Sequence, residues 1–212
     1  MADSVEPTPA PAHGRRAPAP GQRRRDAERT RRALLDAALA EFSAKGLAGA
    51  RVSAIAARAG VNKQLISYYF GGKQGLYRAL AERWLEHEAE LNRDELSLGD
   101  VVAGYIADSV AQRDVHKVLL RECLDDAPAA EPVVADRDEV AGLRRRQEAG
   151  EIAADLDPAL LLLALQGMAS VGIVFPGDVR AVTGLDPALP EFAERYGALV
   201  RRIVAALAPA AG

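Results

Sequence analysis

Apolar residues recur at spacings of three and four through most of the 212-residue chain, and no stretch alternates between apolar and polar as a half-buried strand would. The pattern predicts an all-α protein of about nine helices. The first runs from about Ala27 to Lys45, with Leu34, Leu35, Ala38 and Phe42 on one face and Gly46 as its stop. A short second helix takes Ser53 as N-cap, turns Ile55, Ala56 and Ala59 inward, and ends at Gly60. The third, capped by Asn62, buries Leu65 or Ile66 with Tyr69 and Phe70 and ends at Gly71-Gly72. A fourth begins near Lys73 and carries Leu76, Leu80 and Leu85.

Five further helices follow. Ser97-x-x-Asp100 reads as a capping box ahead of Val101, Val102, Tyr105, Ile106 and Val110. Asp114 is placed to cap the next, which holds Val115, Val118, Leu119 and Cys123. A loop from Pro128 to Pro132 leads to a helix over about Asp136 to Ala149. Asp157-Pro158 pairs an N-cap with proline at the first helical position. The helix it opens runs to Phe175 and is so apolar that it reads as buried on nearly all sides. It falls short of the roughly 20 residues a membrane span needs and contains Gln166 and Ser170, so no membrane is expected. The last helix, about Pro190 to Leu207, is strongly amphipathic.

Charge divides the chain unevenly. Up to Arg83 there are 15 Lys/Arg against 7 Asp/Glu, and beyond it 12 against 23. A basic front on an acidic body is the layout of a protein that meets a polyanion with one end. Residues 1–25, rich in Pro, Ala and Arg, read as a disordered arm. Its Arg15, Arg16, Arg23, Arg24 and Arg25 either reach DNA or form a solvated tail. Residues 26–72 are expected to form a small basic helical domain and 73–212 a helical body. One cysteine and no signal peptide at the start point to the cytoplasm.

Two short helices joined by the tight turn Gly60-Val61 fit a helix-turn-helix, whose second helix enters the major groove. That helix must be apolar on one side and polar on the other; Ile66 and Phe70 supply the first, Lys63, Gln64 and Ser67 the second. The stretch Ile55-Ala56-x-x-Ala59-Gly60-Val61, followed by Ile66-Ser67-Tyr68-Tyr69-Phe70-x-x-Lys73-x-x-Leu76, resembles the TetR family of bacterial regulators. The resemblance implies a sequence-specific transcriptional regulator, a repressor released from a palindromic operator by a small molecule.

It also implies roles. Lys63, Gln64 and Leu65 would face base edges, with Gln64 matched to adenine, Lys63 to guanine and Leu65 to a thymine methyl or to the core. Ser53, Ser67, Tyr68 and Lys73 would hold phosphates, Ser67 standing where the family often has tyrosine. The last two helices would form a homodimer interface. The body would bind an effector, apolar if the few aromatics are a guide, with Tyr105, Gln112, His116, Arg121 and Gln166 as candidate pocket residues or as ordinary surface and core positions.

No cofactor or metal is expected. His13, His87 and His116 are scattered, and Gly71-Gly-Lys73 lacks the spacing of a phosphate loop. No catalytic set is present, so an enzyme is not expected. Two other readings stay open: a regulator or architectural protein without an effector, and a small-molecule-binding or catalytic helical bundle.

Overall fold

The computed structural model describes residues 20–93, 95–124 and 139–209, and every regular element among them is an α-helix. Most of the arginine arm and the Pro128–Pro132 loop lie outside the described residues. Helix α1 (Pro20–Gly49) breaks at Gly46, whose φ of 70° lies in the left-handed region that favours glycine. The periodic run therefore stops where expected, but it starts earlier. Arg24 and Arg25 already belong to the helix, and Arg24 pairs with Glu28 at 3.2 Å.

Helices α2 (Val52–Ala59), α3 (Gln64–Phe70) and the N-terminal part of α4 (Lys73–Leu91) pack on α1 around a first core. Leu34, Phe42, Ile55, Ile66 and Leu76 are fully enclosed there. Ser53 lies inside α2 rather than capping it; Arg51 holds the cap position without a side-chain bond. The body contains α5 (Leu98–Ala111), α6 (Arg113–Leu124), α7 (Glu139–Glu148), α8 (Pro158–Val174), α9 (Pro176–Thr183) and α10 (Pro190–Ala205). Its core joins Val102 and Ile106 of α5 to Leu165 of α8 and Phe192, Val200 and Val204 of α10. Helices α5 and α10 approach closely at small residues: a Cβ on Gly99 would meet the Arg201 Cα at 3.2 Å.

The caps explain most boundaries. Ser97 Oγ accepts from the Asp100 backbone N–H at 3.1 Å, and Asp157 Oδ1 accepts from those of Ala159 and Leu160. Ten helices are found among the described residues, against about nine expected. The addition is α9: Pro176 ends α8 yet suits a first helical position, so a new helix starts at an 85° bend. Asp114 does not cap α6. It sits in the first turn and accepts from Ser43 Oγ at 2.8 Å.

Burial of α8 also departs from expectation. Leu160 and Leu163 are 67% and 63% exposed, so within one chain only one side of α8 is covered. No single described helix is long and apolar enough to cross a membrane.

Two helices join the halves of the molecule. Helix α4 starts in the first core and ends beside the body. Helix α6 places Val118 in the first core, and Arg113 donates to the Gly172 and Pro187 carbonyls, both at 3.1 Å.

Candidate nucleic-acid interface and body cavity

Helix α2 ends at Gly60, which has φ 67° and ψ 30° and whose N–H returns to Ala56 and Ala57. Val61 N–H also reaches the Ala56 carbonyl, at 3.0 Å, and the Val61 side chain packs against the first core. These bonds set the turn. Asn62 Oδ1 then accepts from Gln64 N–H at 2.9 Å, so the expected cap residue satisfies the start of α3, although Lys63 is the residue at the helix boundary.

Helix α3 has two different sides. Ile66 is fully buried, while Leu65, Tyr69 and Phe70 are half-buried against the first core. Lys63, Gln64 and Ser67 are exposed, and the Tyr68 ring is 78% exposed. The Tyr68 ring meets that of Tyr69 edge-on, with centroids 4.9 Å apart, and otherwise faces outward beside the polar residues of α3. Leu65 belongs to both settings, touching the core at the edge of the polar face. Ser53 is exposed on the first turn of α2.

Lys73 is tied down more than its sequence position suggested. Its Nζ donates to the Ala48 and Ala50 carbonyls at 3.1 and 3.3 Å, joining the start of α4 to the end of α1. Arg31 was not singled out by sequence. Its guanidinium lies 4.7 Å from the Phe70 ring centre and donates to the Tyr69 carbonyl, anchoring α3 from α1. Only tertiary folding brings residues 31 and 70 together.

In the body, a cavity of about 940 Å³ opens between α4, α5, α6, α7 and α8. Of the five pocket candidates it gathers Tyr105, His116 and Gln166. Gln112 lines a smaller cavity of about 240 Å³ between the two halves. Arg121 is exposed and lines neither. Trp84 lines both cavities and was not among the candidates.

Two polar groups border these spaces. Tyr105 Oη donates to Glu88 at 3.0 Å; burial pushes the Glu88 carboxyl up and, with the Glu88 charge, the tyrosine hydroxyl too. Asp108, 8% exposed, accepts from His87 Nε2 and His116 Nε2 at 2.9 Å and from Gln112 at 3.0 Å. Burial works to raise the Asp108 carboxyl, but the three hydrogen bonds together outweigh it and hold it below the usual range. Burial lowers His116, with Asp108 opposing. Among the described residues no cluster has the ligands for a metal ion.

Residues 34–80 match the family model of bacterial regulatory proteins of the tetR family. The HTH-type transcriptional repressor SCO4008 of Streptomyces coelicolor is 35% identical over 76% of this chain and 86% of its own. The HTH-type transcriptional regulator RutR of Escherichia coli K12 is 28% identical over 77% of this chain and 83% of its own. Among solved structures, SCO4942 of Streptomyces coelicolor, described as a candidate transcriptional regulator, aligns with a TM-score of 0.68 at 25% identity, covering 82% of this chain and 97% of that one. With the helix-turn-helix in place and the similarity extending through the body, the chain belongs to the TetR family of bacterial regulatory proteins and is a helix-turn-helix transcriptional regulator.

Proposed function

We propose that the protein is a cytoplasmic homodimeric repressor that reads a palindromic operator through α3 and leaves it when a small molecule fills the larger body cavity. The observation that carries this is the division of α3: an exposed polar edge of Lys63, Gln64, Ser67 and Tyr68 on a helix fixed to the core by Ile66. An anchored helix with a free polar edge can be laid into a major groove without rearrangement. Lys63 and Gln64 then contact bases, with Leu65 at the margin. Ser53, Ser67 and Tyr68 contact phosphates, and Lys73 adds its charge beside the α1 terminus.

Dimerisation is supported by the uncovered apolar positions of α8 and α10: Leu160, Leu163 and Val174 on the first, Leu199 and Ile203 on the second. Exposed apolar side chains at such density favour a protein partner, and two-fold pairing is the commonest solution. Two reading heads about 34–36 Å apart would then meet successive major grooves.

The route from cavity to DNA follows α4 and α6. Trp84, Leu119 and His116 line the cavity, while Tyr77 and Val118 of the same two helices sit in the first core. A ligand that pushes on either helix changes the angle of the head, and it releases DNA only by favouring the non-binding spacing. Selection of bound sequences from random duplex DNA tests the proposal. An enriched palindrome with half-sites about one helical turn apart supports it; enrichment of no motif, or of a single asymmetric site, contradicts it.

A further inference from the structure

We propose that the larger body cavity takes an amphipathic organic cation, its charge held by the Glu88 carboxylate and its apolar part packed beside Trp84. This rests on reading that cavity as the effector site. Much of the wall is aliphatic, with Leu85, Val102, Leu143 and Leu165 among the lining, so a ligand must bring apolar surface. Within that wall Glu88 is half-buried and accepts one hydrogen bond, from Tyr105. Among the described residues it forms no ion pair.

The arginines nearby do not reverse this polarity. Arg146 Nη1 is 2.6 Å from Glu151 Oε2, Arg145 has a partner of its own, and Arg93 is exposed. Glu139 lines the same cavity, and its charge adds to that of Glu88. A sequestered carboxylate without a countercharge is costly, and an entering cation removes that cost while an anion compounds it. Trp84 lines the same cavity, and an aromatic ring attracts a cation that reaches its face.

The test uses tetraphenylphosphonium and tetraphenylborate, ions of nearly the same size and shape and of opposite charge. Calorimetric titration of the full chain is expected to give tighter binding of the phosphonium. Glu88→Gln should weaken it roughly tenfold or more and leave the borate unchanged or tighter, while Glu88→Asp should keep the preference. Thermal unfolding of both variants checks that they fold. Equal binding of the two ions, equal loss of both in Glu88→Gln, or no binding of the phosphonium overturns the cation site. Operator release is read separately. Phosphonium bound through Glu88 that leaves the operator complex intact upholds the cation site and overturns the effector role.

Discussion

Lys73 carries one positive charge toward two ends: it donates to the Ala48 and Ala50 carbonyls, and it lies beside the surface proposed to meet DNA. Both uses are measurable. Lys73→Ala is expected to lower unfolding stability by about 1–2 kcal/mol in a urea titration. It should also weaken binding to all duplexes alike, with a salt slope shallower by roughly one. An unchanged slope would leave the residue a structural clamp only. Asp108 and His116 make a second prediction, in pH. Asp108 is held below its ordinary value of 3.8, so its contribution is present above that value and lost as pH falls through its folded value. His116 is held below 6.5, so below that pH the unfolded chain takes up a proton the folded chain resists. Both make acid destabilising, His116 first. Replacing His116 with Gln should flatten the stability curve as pH falls from 6.5, before the Asp108 region; an unaltered curve contradicts the assignment.

Among the elements, the joint between α3 and α4 has the least room. A Cβ on Gly75 would lie 1.5 Å from the Phe70 carbonyl oxygen, so the first turn of α4 approaches α3 through a missing side chain. Gly75→Ala should cost about 3 kcal/mol or more, read from denaturant unfolding, because backbone rather than a mobile side chain must move. A loss within about 0.5 kcal/mol, that of an ordinary surface change, would contradict this close approach. Gly60, Gly71 and the Asp157-Pro158 start were legible in the sequence because local chemistry alone sets them. Ser53 and Asp114 were misplaced as caps because capping residue types also serve inside first turns, and only tertiary contact gave Asp114 its partner Ser43. The apolar run of α8 concealed α9, since a proline that stops one helix can open the next.

For the molecule as a whole, pattern reached the order of helices and the polar edge of α3, since both follow from spacing. It did not reach the cavity, because Trp84, Glu88 and Tyr105 meet only when α4 and α5 pack. Nor could composition separate burial inside one chain from burial between two. Leu163, exposed on α8, is where that distinction is tested. If the proposed dimer forms through α8, Leu163→Glu should shift the protein to monomer in sedimentation and weaken operator binding on the order of a hundredfold, since the second head no longer binds intramolecularly. A variant that remains dimeric would place the interface elsewhere.

In the proposed complex the Lys63–Gln64 edge of α3 reads base sequence. Wild-type and Gln64→Ala affinities, compared at fixed salt on the selected operator and on its single-base variants, decide whether it does. Expected are a loss of about 1–3 kcal/mol on the preferred operator and a collapse of discrimination at one symmetric pair of positions. Equal weakening on every duplex, with discrimination intact at all positions, would contradict it.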